Sequence, residues 1–183
     1  LLYQADASKF NESLGRNWYL EDEKPMVGGG CHPFDVLKWF VNSQVVSVKS
    51  MSNHIAFPKM KYDDCIVSLY KFESGAIAKV TAMYGPVSPY AAFNNIAVYG
   101  TKASVWRDQV CYDHDQGWQP LEYIDYKEQF SHGFEREIVD FINAIITAKP
   151  VLAPMKDCAQ SELATLIATD AAYSDKELKV PQI

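Results

Sequence analysis

The chain has 183 residues, 48% of them apolar and 22% charged, with 17 basic against 23 acidic side chains and a net charge of −6. That length suits one domain with a real core, and the composition is that of a folded rather than a disordered protein. The basic residues are scattered, which excludes the counterion-replacing stripe of a duplex nucleic-acid binder, and no apolar run is long enough to span a membrane. The opening Leu1-Leu2-Tyr3-Gln4-Ala5-Asp6 has neither the basic nor the apolar region of a signal peptide. With no initiator Met, it reads as the start of a truncated sequence. A cytoplasmic location is therefore expected, with any targeting signal lying outside these residues. Cys31, Cys65, Cys111 and Cys158 form no CxxC pair, so reduced thiols are expected rather than a zinc ribbon or a disulfide scaffold.

In chain order, residues 1–27 are polar, with an acidic cluster at Glu21, Asp22 and Glu23 and the end of a strand in the first five residues. Gly28-Gly29-Gly30 then opens a helix from Cys31 to Val41, because Phe34, Leu37 and Val41, with Trp39 beside them, recur at helical spacing. Residues 45–51 alternate apolar and polar, as do 65–72 and 76–84, which flank the turn Glu73-Ser74-Gly75 and predict a β-hairpin. A second hairpin is expected from 95–99 and 103–106 around Gly100-Thr101.

Ser131 is placed to cap a helix whose stripe is Phe134, Ile138, Phe141, Ile142 and Ile145, with Glu135, Glu137 and Asp140 toward the favourable N-terminal end and Lys149-Pro150 as its stop. A further helix over 156–173 is expected to turn Leu163, Leu166 and Ile167 inward, and the tail 179–183 adds a short edge strand. Strands followed by helices predict an α+β fold: one open, mainly antiparallel sheet with helices on one face, formed by residues 1–183 as a single substrate-binding and oligomerisation domain. Strands with apolar residues at both parities, such as Ile66, Val67, Leu69 and Tyr70, predict a homo-oligomer through the free sheet face.

The run Gly28-Gly29-Gly30-Cys31-His32-Pro33-Phe34-Asp35, with Trp18 ahead of it, resembles the C-terminal domain of the Gfo/Idh/MocA oxidoreductases, the glucose–fructose oxidoreductase and inositol dehydrogenase family. The strand–Gly-Thr–strand segment at 96–105 and the two closing helices are similar to later parts of that domain. The resemblance implies an oxidoreductase that moves a hydride between a nicotinamide (NAD or NADP) and a sugar, polyol or derivative. The cofactor-binding Rossmann domain would lie outside this chain. No residue here is expected to bind the cofactor, since there is no GxGxxG turn between a strand and a helix, and no metal site is expected.

The resemblance marks His32 as the catalytic imidazole facing the reacting hydroxyl, a role that suits a group titrating near neutral pH. Asp35 is implied as a substrate ligand or as the residue that orients His32, and Arg16 and Trp18 as the rim of the substrate cleft. Ordinary roles compete with these: a helix N-terminal His bonded to backbone, a carboxylate favouring the helix dipole, and packing. Many family members carry an Asp four residues before the His. Here that position is Gly28, so the carboxylate is absent or replaced by another. Glu23-Lys24-Pro25 matches the family's lysine motif only by coincidence, because it lies in a polar segment rather than after a parallel strand. His132-x-x-Glu135 and Asp113-His114-Asp115 lack the further ligands of a metal site. Tyr84, Tyr90 and Phe93 are candidate pocket residues, with core or interface packing as the competing role. The alternative function is a non-catalytic ligand-binding or assembly module, favoured by Gly28 as His32 favours the enzyme.

Overall fold

The computed structural model describes residues 2–5, 18–86, 95–121 and 134–183. They fall into two compact units, Leu1–Ile96 with Ala159–Ile183, and Ala97–Cys158. Arg16, Tyr90, Phe93, Ser131 and His132 lie outside the described residues.

The first unit is built on an open five-stranded sheet in the order β1-β4-β3-β2-β9: β1 (Leu2–Ala5), β2 (Val45–Asn53), β3 (Cys65–Phe72), β4 (Ile77–Tyr84) and β9 (Leu178–Lys179). All pairings are antiparallel except β1 with β4. The β3–β4 hairpin turns at Gly75, whose φ of 86° is a conformation open to glycine at no steric cost. Alternation then sorts the side chains. Val48 aligns with Tyr70 and Ala78, and Ser50 with Ser68 and Val80, on the buried face. Lys49 aligns with Leu69 and Lys79, and Met51 with Val67 and Thr81, on the other.

Helices α3 (Cys31–Val41) and α5 (Met155–Ser174) bury their inner sides in the same core, through Phe34 and Leu37 and through Ala164, Ala168 and Ala171. Two expectations are corrected here. Trp39 is 77% exposed, since it projects from the side of α3 away from Phe34 and Leu37. On α5 the fully buried residues include Gln160, Ser161, Ala164, Thr165 and Ala168; of the three expected inward, Ile167 packs against the core, Leu163 is half-buried and Leu166 is exposed. Small side chains let the helix lie close to its neighbours. Gln160 completes the contact by donating to the carbonyl of Pro181 at 2.9 Å and accepting from the Ile183 amide.

Two short helices precede α3. α1 is Trp18–Glu21, and α2 is Pro25–Gly28, started by Pro25 at its first position.

The second unit holds a four-stranded antiparallel sheet, β5 (Ala97–Tyr99), β6 (Ser104–Trp106), β7 (Gln109–Cys111) and β8 (Gln119–Pro120), and the helix α4 (Phe134–Thr147). The expected single sheet is therefore two sheets. Alternation identifies strands but not their partners, and β5 to β8 close by short local hairpins on one another. The α4 stripe Phe134, Ile138, Phe141, Ile142 and Ile145 is exposed. No helix among the described residues is long and apolar enough to cross a membrane.

Candidate functional site

The site is built on the turn that joins α2 to α3. Backbone bonds from Gly29 and Gly30 to the Pro25 carbonyl, and from Phe34 to the Gly30 carbonyl, fold the glycines tightly between the two helices. Gly30 is required by space: a Cβ there would lie 2.5 Å from the Met26 sulfur and 2.8 Å from the Met26 carbonyl oxygen. Met26 is itself fully buried, so the turn is anchored to the core and fixes where α3 begins.

His32 is the second residue of α3 and is exposed. Asp35 follows one turn later on the same helix, and its carboxylate accepts a hydrogen bond from the Ser161 hydroxyl of α5 at 2.5 Å. Lys38 also reaches Ser161, at 3.2 Å. Asp35 thus tethers α3 to α5. Trp18 opens α1, which is held in place by a bond from the Lys61 amide to the Leu20 carbonyl. Beside His32, burial is the largest influence on the Cys31 thiol, followed by the nearby Glu162 carboxylate, and together they push its pKa up to about 11. The thiol is therefore protonated at neutral pH and is not poised as a nucleophile.

One residue escaped the sequence reading of the site. Glu23, taken there as part of an acidic cluster, is 9% exposed, and the buried Tyr84 hydroxyl at the end of β4 donates to its carboxylate. That carboxylate lies against Gly28, the position where a side chain had been expected. Lys24, by contrast, reaches over the Tyr62 ring at 5.0 Å. Tyr84 packs with Met60, Leu20 and Phe57.

The glycine turn does not fit a dinucleotide pyrophosphate. It links helix to helix rather than strand to helix, Gly30 is filled by Met26, and the Glu23 carboxylate at Gly28 would repel phosphate. Among the described residues no three His, Cys, Asp or Glu side chains are grouped as metal ligands. Asp113 instead closes its own loop by accepting from the Asp115 amide. A groove along β9, lined by Ser47, Lys71, Glu177 and Gln182, contains none of the site residues.

The sequence profile of the GFO/IDH/MocA C-terminal domain matches residues 3–106, more than half of the chain. The chain belongs to this family. Among solved structures, it is similar to a myo-inositol 2-dehydrogenase from Lactobacillus plantarum at 20% identity and a TM-score of 0.73, covering 98% of this chain and 55% of that one. A scyllo-inositol dehydrogenase from Lactobacillus casei, solved with NAD(H) and scyllo-inositol, is similar at 17% identity and a TM-score of 0.73, over 98% and 54% of the two chains. A levoglucosan dehydrogenase in complex with NADH shares 22% identity at a TM-score of 0.66, over 84% and 49%. At these identities the likeness is one of fold. This family domain spans about half the length of the structures it matches. No curated protein matches the sequence.

Proposed function

We propose that this domain is the substrate side of an NAD(P)-dependent oxidoreductase acting on a sugar, polyol or derivative by hydride transfer, with the nicotinamide held by a part of the protein outside residues 1–183. The observation that carries the reading is an exposed His32 at the start of α3, set by a glycine turn locked onto buried Met26, in a domain of this family. Oxidising a carbinol requires removal of the hydroxyl proton, and His32 is the group presented for it. Asp35 keeps α3 in register with α5 and so holds the imidazole's helix in place; with Arg16 and Trp18 it is assigned to substrate binding on family membership. The whole chain works as one module.

Homo-oligomerisation through the free face of the five-stranded sheet is part of the proposal. That face exposes Met51 (73%), Leu69 (50%) and Ile77 (72%) among lysines, more apolar surface than a solvent-facing sheet usually carries. The four cysteines are free thiols, which suits a reducing, cytoplasmic setting.

The test is polyol-dependent reduction of NAD+ or NADP+ by the full gene product over a panel that includes myo-inositol, scyllo-inositol and levoglucosan. In the active pair, His32→Ala should lower kcat by about 10²–10⁴-fold with little change in KM, because a proton-transfer group acts in the transition state. Wild-type turnover by His32→Ala would make His32 structural. A wild type that turns over nothing on the panel would favour the second reading, a non-catalytic binding module, which the missing side chain at Gly28 supports.

A further inference from the structure

Helix α4 is turned the wrong way for a helix that serves only its own fold. Along Phe134–Thr147 an apolar stripe runs at spacings of four, three and four, through Phe134, Ile138, Phe141 and Ile145. Such a stripe normally faces the core. Here the buried side chain of α4 is Ala144, and Asp140, one turn before it, is half-buried. Asp140 accepts from the Leu152 amide at 3.1 Å, which ties the segment after the helix to that same side. The stripe lies roughly 100° round the helix from Ala144. Ile138, Phe141 and Ile145 are each more than half exposed, and Ile142 and Ile146 beside them are exposed as well. Together these side chains open on the order of 600 Å² of apolar surface, the upper end of what an ordinary monomer leaves bare and most of the roughly 800 Å² that one partner contributes to a stable interface.

The order of the side chains says what fits against them. Two copies of α4 laid antiparallel, with the two-fold axis at the level between Val139 and Asp140, set Ile138 opposite Phe141 and Phe134 opposite Ile145. The same two pairs recur on the far side of the axis. Every layer then holds one aromatic and one β-branched side chain, a large-with-medium pairing that fills a seam between helices of this spacing. Such a contact is isologous and closes at two copies. Charge selects the same direction. The first turn holds Glu135 and Glu137, and no basic residue balances them in the last turn. Parallel copies would bring these acidic turns side by side. Antiparallel copies send them to opposite ends and set the two helix dipoles head to tail.

We infer that α4 is a self-complementary docking face whose occupant is the α4 of a second copy of this chain. The contact is separate from the free face of the five-stranded sheet. Both contacts together build a closed tetramer, and α4 alone builds a dimer. The inference is independent of the substrate-side reading, since none of the residues proposed for the substrate site lies on α4.

The test is the mass of the full gene product in solution, by size-exclusion chromatography with light scattering at micromolar concentration. Ile138→Asp puts a carboxylate at the centre of the seam in each copy. It should halve the particle mass, from tetramer to dimer or from dimer to monomer. Circular dichroism and melting temperature should stay near those of a folded chain, because the side chain is exposed within its own chain. Asn143→Asp, on the far side of the helix, should leave the mass unchanged. Ile138→Cys adds no charge and carries the test if Ile138→Asp does not fold. Treated with a short bismaleimide, it should give a peptide joined to its own copy through position 138, identified by mass spectrometry, and Asn143→Cys should not. A monomeric wild type overturns the inference. So does an unchanged mass in folded Ile138→Asp, or the absence of the 138-to-138 link; either would mean that α4 is covered by the part of the protein outside residues 1–183.

Discussion

Two carboxylates bracket His32, Glu23 before it and Asp35 after it, and the structure uses them in opposite ways. Asp35 is on the outer side of α3, yet its bond runs to Ser161 and binds α3 to α5, with Lys38 on the same hydroxyl. Glu23 is buried, yet its carboxylate is drawn to an exposed glycine of the turn that launches the helix. A carboxylate's work is set by what its oxygens face.

Separating the two sides experimentally starts with the largest difference. Glu23→Ala leaves the buried Tyr84 hydroxyl without this acceptor and should destabilise the fold by about 1–3 kcal/mol. Asp35→Asn keeps an oxygen for Ser161 and should cost less than about 1 kcal/mol, with a smaller effect on polyol turnover than His32→Ala. Chemical denaturation of both variants ranks them; equal losses would erase the contrast. Next, Ser161→Ala removes the shared hydroxyl between Asp35 and Lys38. It should destabilise by about 1 kcal/mol; a rise in the polyol KM alongside would place the α3–α5 seam at the binding surface, and an unchanged KM would confine Asp35 to joining the two helices.

The smallest effect is in pH. Burial, then Glu162, and more weakly Asp35, raise the Cys31 thiol from 9.0 to about 11. A raised pKa in the folded state means that stability is fully present below pH 9 and falls as pH rises from 9 toward 11. Cys31→Ser, which does not ionise there, should flatten that part of the stability curve. An unchanged alkaline decline would place its origin elsewhere.

Much of the fold was legible in the residues. Phe34, Leu37 and Val41 located α3 within its observed bounds, and alternation with Gly75 located the β3–β4 hairpin. The helical stripe of α4 was equally plain, but periodicity states that a face is apolar and not what it meets, and Phe134, Ile138 and Phe141 are exposed. For α5 the strongest apolar residues misled, because Ala164 and Ala168 contact the core and small side chains carry little pattern. The short strands β7 and β8 were not predicted, being only three and two residues long. At the site, the family resemblance marked out His32 and Asp35. Glu23 left no such trace, because its meaning depends on Tyr84 far along the chain and on the void at Gly28, which only the folded backbone brings together.

The most direct test of where this domain meets its substrate is an NMR titration of the isotope-labelled protein with myo-inositol. Saturable amide shifts at Gly28, Gly29, Gly30 and Tyr84, together with shifts of the His32 ring, are the expected result. Shifts confined to the groove along β9, or none at tens of millimolar ligand, would contradict the placement of the site at the α2–α3 turn.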